Sequence, residues 1–213
     1  INAGNANAGT GKAGEKDLEL ILDSISQKTG ISKKNILPFS TGVIGERLET
    51  KLITLTFEKC IKDFKTNNFQ NLAKSIMTTD KKIKISKTVV KVGNKKFSIV
   101  GVAKGGGMIE PNMATTLSFI FTDLKIPEST LKKIHKNICD ETFNSISVDS
   151  DTSTSDTLML FSNPLKKINV SSNYNKISKV LNKVMKELSL KIISDGEGIK
   201  KLIKIKVIKG KTI

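Results

Sequence analysis

The hydrophobic period of this chain changes repeatedly along its length, and that alternation limits its fold more than any other feature. Between residues 174 and 190, Ile177, Val180, Leu181, Val184 and Leu188 recur at three- and four-residue steps, which predicts a helix with one apolar face. Residues 17–28, with Leu18, Leu20, Ile21, Leu22 and Ile25, predict another that Gly30 is placed to end. Residues 128–143 predict a third, with Pro127 near its start and Leu131, Ile134 and Ile138 on one face, and a further helix is expected from Leu48 to Phe64. Between these lie short runs of a different kind. Thr88–Val92 and Lys96–Val100 flank Gly93-Asn94-Lys95 and predict a hairpin, while Leu117–Phe121 and Leu158–Phe161 have strand length. Ile203, Ile205 and Val207 alternate with lysines, as a half-exposed strand does. The expected class is α/β, a mixed α+β arrangement of layered sheets and helices without internal repeats.

A length of 213 residues suits one domain, or slightly more. No apolar run of eighteen or more residues predicts a membrane span, and the start at Ile1 has no signal-peptide pattern. The absence of an initiator Met, and an end at Ile213 without a turn or capping signal, lead us to expect an internal piece of a longer chain. Cys60 and Cys139 are too sparse for a disulfide scaffold, and a reducing cytoplasm is the expected setting.

The formal net charge of +16 raises a nucleic-acid reading, because clustered cations release counterions from phosphates. Its chemistry argues against that reading. Arg47 is the only arginine, there is no Trp and only one Tyr, so both guanidinium forks and stacking platforms are poorly supplied. A solvated lysine-rich surface is expected, with neither a nucleic-acid nor a membrane partner.

Four segments rich in Gly, Thr, Asn, Asp and Ser are unlike ordinary turns: 2–11, 40–45, 104–116 and 149–157. Small polar residues do little for a core, but they let backbone N–H groups and hydroxyls approach a ligand. The densest is Lys104-Gly105-Gly106-Gly107-Met108-Ile109-Glu110-Pro111-Asn112-Met113-Ala114-Thr115-Thr116, directly before the apolar run at Leu117. A hydroxyl residue at the lip of a strand is held rigidly. Taken alone, the triple glycine has neither Walker nor dinucleotide spacing, and it reads first as a loop that opens a strand.

Six ordered segments together resemble the ornithine acetyltransferase family, also called glutamate N-acetyltransferase. They are Asn2–Gly11, Ser40–Gly45, Ser75–Asp80, Lys104–Thr115, Val148–Thr157 and Asp195–Gly198, in the family's order across the whole chain. Family chains are about twice as long, so a part at each end is expected to be missing. Ser150 and Ser155 stand where glycine and asparagine are more usual in the family, and Gly9 where cysteine is common.

The resemblance implies a precursor that cuts itself between Ala114 and Thr115. Residues 1–114 would then be the end of an α chain and 115–213 the beginning of a β chain, both in one catalytic unit. Thr115 would be the nucleophile, and its freed α-amine, titrating near ~8, would serve as its base. The resemblance assigns oxyanion stabilisation to Thr41 and Gly42, and substrate contact to Thr78, Lys104, Glu197 and Thr115. The implied substrates are N-acetylornithine and glutamate, with acetyl-CoA as a further acetyl donor in some members. No cofactor and no metal is expected, and the implied assembly is a heterotetramer of two α and two β chains.

Other residues are read structurally. His135, the only histidine, lies in the predicted helix 128–143 and is expected to be a partly buried helix residue. Asp149, Asp151 and Asp156 lack the glycine and terminal glutamate of a calcium loop. Two rival readings stay open: a self-processing aminopeptidase of similar architecture, and a lysine-rich nucleic-acid-binding module.

Overall fold

The computed structural model describes residues 1–62, 68–110 and 116–209. The first part of the chain forms a β-α-β unit. Strand β1 (Asn2–Asn5) pairs in parallel with β2 (Ser40–Val43), with Ala3 opposite Thr41 and Gly4 opposite Gly42. Parallel neighbours need a crossover, here helix α1 (Gly11–Thr29), and α2 (Thr50–Lys62) packs on α1. Gly30 ends α1 with φ 72°, and its N–H donates to the Ser26 carbonyl at 2.8 Å. Arg47 grips the buried Asp17 of α1 through Nε at 2.7 Å and a second guanidinium N–H, fixing the segment after β2 on that helix.

The larger layer is a four-stranded sheet ordered β3-β4-β5-β6: Lys84–Val92, Lys95–Lys104, Leu117–Leu124 and Thr157–Lys166. The first three run antiparallel, whereas β5 and β6 are parallel and are joined through α4 (Glu128–Glu141). Pro164 is tolerated because β6 is an edge strand. Helix α5 (Tyr174–Ile193) lies against β3 and β4 and packs on α4.

The two faces of this sheet follow from the period-two alternation of its strands. Phe97, Ile99 and Ala103 of β4 and Ile120 and Leu124 of β5 join Ile134 and Ile138 of α4 and Leu181, Val184 and Leu188 of α5 in the main core. Each such side chain contributes about 1.5–3 kcal/mol by leaving water, so α4 and α5 are held chiefly by this face. On the other face, Val102, Leu117 and Phe119 pack with Phe39 and with Ala73 and Ile76, from α3 (Phe69–Ser75) and its C-cap. Phe121 stacks on Phe161 at 5.1 Å, and Phe39 meets Phe119 edge-on.

The mixed α/β class is as expected, and so are the hairpin, the helices and the two short strands, of which Leu117–Phe121 is the more deeply buried. Two elements differ. Helix α2 runs over Thr50–Lys62, and Phe64, where it was expected to end, lies outside the described residues. The strand expected at Ile203–Val207 does not form: Ile203, Ile205 and Val207 are 77, 84 and 81% exposed, and residues 201–208 have no regular structure. Alternation specifies a strand only where an edge is available to pair with, and no described strand pairs with this segment. Among the described residues, no helix is long and apolar enough to cross a membrane.

Candidate active site

The polar segments converge on one cavity of about 860 Å³. Thr41, Gly42, Thr78, Lys104 and Glu197 all line it, together with Asp149, Asp151 and Ser153–Ser155. These residues come from β2, the loop after α3, the end of β4, the loop before β6 and the turn after α5. Ala114 and Thr115 lie outside the described residues.

Thr41 is 3% exposed, its position fixed by the β1–β2 ladder. Gly42 has φ 129°, and a Cβ there would lie 2.2 Å from the Gly4 carbonyl oxygen, so backbone would have to move to admit any side chain. Gly42→Ala is expected to cost about 3 kcal/mol, through strain and the broken β1–β2 contact. Urea unfolding of the complete protein checks this; an unchanged midpoint would remove the packing argument.

Lys104 closes β4 and is 3% exposed. Burial pushes its ammonium below the ordinary lysine range; Asp80 and Asp156 oppose that shift, and Lys84 adds to it. Glu197 is held through its backbone, whose N–H donates to the Gly106 carbonyl at 2.6 Å. Its carboxylate overlies Gly107, where a Cβ would come within 2.9 Å of Oε1. The cavity lining thus combines a lysine and a carboxylate with the buried Thr41 and the glycine that follows it.

Behind this wall lies a charge network that sequence reasoning missed. Lys84 is 1% exposed and pairs with Asp80 and, at 2.7 Å, with Asp195. Asp80 also accepts from the Gly105 N–H at 2.7 Å, and Asp195 accepts from the N–H groups of Lys81 and Lys82. Burial alone would raise the Asp195 carboxyl, but the hydrogen bonds from Lys84, Lys82 and Lys81 hold it below the ordinary range. This network ties the loop of Thr78, the base of the glycine segment and the turn of Glu197 into one body. Nothing in the sequence sets Lys84 apart from the other lysines.

Asp149 receives the N–H groups of Met108 and Ile109 at 2.6 and 2.7 Å, so its carboxylate shapes the glycine segment. Ser150 takes φ 63°, a left-handed conformation suited to glycine, the residue more usual there in the family that this chain resembles. His135 is half-buried in α4, with Nε2 3.0 Å from the Leu158 carbonyl oxygen, and does not line the cavity. That matches its structural reading.

Known proteins resemble this chain from end to end. An arginine biosynthesis bifunctional protein ArgJ from Bartonella henselae is 40% identical over 213 residues, covering 98% of this chain and 52% of that protein. A mitochondrial counterpart from Dictyostelium discoideum is 40% identical over 217 residues, covering 100% of this chain and 49% of its own length. A crystal structure of ArgJ from Bacillus halodurans shares 37% identity and a TM-score of 0.45, with 53% of this chain and 59% of that one covered. The chain spans about half the length of the curated relatives it matches. The model of the ArgJ family matches residues 1–213, and the chain belongs to that family.

Proposed function

We propose that the protein containing this chain is an acetyltransferase of arginine biosynthesis that moves the acetyl group of N-acetylornithine to glutamate through an acetyl ester on Thr115. The observation that carries this reading is the meeting of Thr41, Gly42, Thr78, Lys104 and Glu197, far apart in sequence, around one cavity. Family membership supports it, as do the names of relatives as bifunctional proteins of arginine biosynthesis.

Self-cleavage comes first. The Thr115 hydroxyl attacks the Ala114 carbonyl carbon, the peptide C–N bond breaks, and the nitrogen takes a proton to become the α-amine of Thr115. Water then hydrolyses the ester, leaving a carboxylate on Ala114 and restoring the hydroxyl. In acetyl transfer, the α-amine accepts the hydroxyl proton as Oγ attacks the acetyl carbonyl. The Thr41 hydroxyl and the Gly42 N–H meet the charge that develops on the carbonyl oxygen. Ornithine leaves with the proton on its amine, and the amine of glutamate attacks the ester to form N-acetylglutamate and restore Oγ–H. Lys104 receives a substrate carboxylate and Glu197 an amino group, with Thr78 as a neutral partner. Acetyl-CoA can supply the same ester by releasing its thiol. No cofactor takes part in this scheme, and the active assembly is two α and two β chains.

The test is transfer of labelled acetyl from N-acetylornithine to glutamate by the product of the complete reading frame. Labelled N-acetylglutamate is the expected product. Release of free acetate alone, or peptide hydrolysis, would replace this reading with the hydrolytic one.

A further inference from the structure

Thr116 is held in an unusual way. Its N–H donates to Asp156 Oδ1 at 2.7 Å, and its carbonyl accepts the Thr157 N–H at 2.8 Å. Asp156, just before β6, and Thr157, its first residue, therefore hold both backbone polar groups of one residue, itself 3% exposed. The next rung, Leu117 opposite Thr157, opens the β5–β6 ladder, so the grip extends that ladder one residue towards the glycine segment. Asp156 does not line the large cavity, and the reading above gives it no role.

We infer that Asp156, with the Thr157 peptide, is a positioning clamp for the proposed cleavage and acetyl transfer: it holds the backbone of Thr116, the residue bonded directly to Thr115. The inference rests on the proposed role of Thr115. A charge-assisted bond from a backbone N–H to a carboxylate is shorter and about twice as strong as a neutral one. A misplacement of about 1 Å at a reacting group can cost about a hundredfold in rate. The Thr115 α-amine is separated from the clamped nitrogen by two carbon atoms, so the clamp acts on it without touching substrate.

The surroundings make the clamp sensitive to pH. Burial pushes the Asp156 carboxyl up to about 6, with the Thr116 and Ser153 N–H groups and Lys104 opposing. Among the described residues, Lys104 is the charged side chain that acts on it, while Asn7, Ser40, Thr154 and Thr157 beside it are neutral. Below about pH 6 the carboxyl is protonated and its bond to the Thr116 N–H weakens; above, the clamp is fully charged.

The experiment follows self-cleavage by mass measurement after expression of the complete reading frame, from pH 5 to 8. Wild type, Asp156→Asn, Asp156→Ala and Thr115→Ala are compared, with folding checked by circular dichroism. Asp156→Asn keeps an acceptor for the Thr116 N–H. It is expected to fold, to cleave about tenfold more slowly at pH 7.5 and to lose the rise in rate through pH 6. Asp156→Ala is expected to be slower by about a hundredfold. A wild-type rate in Asp156→Ala, or a rise through pH 6 that survives in Asp156→Asn, overturns the clamp. If Thr115→Ala itself is cut, it is the nucleophile reading that fails; an intact Thr115→Ala beside a normally cut Asp156→Ala isolates the failure to the clamp.

Discussion

Thr115→Ala in the complete protein is expected to yield one uncut polypeptide where the wild type yields two, and to transfer acetyl at or below about a thousandth of the wild-type rate. Both effects have one cause. Alanine offers no oxygen for the Ala114 carbonyl to move onto, and without the cut no α-amine exists beside residue 115. Under the proposed chemistry, the remaining cavity residues, Thr41, Gly42 and Lys104 among them, are expected still to bind substrate. Substrate affinity measured calorimetrically should therefore change little while turnover collapses. Thr115→Ser separates the steps further: it keeps the oxygen and should still be cut, though at a different rate. Two chains from Thr115→Ala would end the proposed chemistry.

Lys84→Met should produce the largest loss of stability among single changes away from Thr115, about 3–5 kcal/mol. Methionine fills similar volume, so the cost is electrostatic. Asp80 and Asp195 would remain buried with backbone N–H partners but without the ammonium that pairs with both. Against total stabilities of about 5–15 kcal/mol, that is a large share. The pH dependence has a definite sign. In the wild type the folded Asp195 carboxyl titrates below its unfolded value, so its contribution is present above the unfolded pKa and is lost as pH falls through the folded one. In Lys84→Met the Asp195 carboxylate loses the cation that helps hold it low and protonates more readily. The deficit should be greatest near pH 7 and shrink towards pH 4, as urea midpoints across that range would reveal. A constant deficit would mean that packing, not charge, is responsible.

The legible parts of the fold were those in which burial dictates period. Ile177, Leu181, Val184 and Leu188 sit on the buried face of α5, and Phe97 and Ile99 alternate into the same core. Strands β1 and β2 were not legible, because Asn-Ala-Gly-Asn and Ser-Thr-Gly-Val carry almost no β-branched or aromatic signal. Their segments stood out instead as places for close approach, and β2 does line the cavity. The short helix α3 and the first turns of α1, Gly11-Lys12-Ala13-Gly14, also lack an apolar stripe to announce them. Ile203–Val207 shows the opposite case: a pattern written in the sequence with no ladder to join. Among the residues lining the cavity, Thr41, Gly42, Thr78, Lys104 and Glu197 were singled out through the resemblance of ordered segments. The Lys84 network escaped because burial of a single lysine leaves no mark in composition.

Lys104 and Leu117 face each other across β4 and β5, so the segment between them leaves and re-enters the sheet at the same rung. Under the proposed cut, the sheet's two inner strands would belong to different polypeptides and yet share a continuous row of backbone bonds. The fragments would stay associated as tightly as a domain holds its own middle. Their melting, however, would become bimolecular: diluting the cut enzyme should lower its unfolding temperature, while the uncut Thr115→Ala protein should show no such contribution from separation of the two halves.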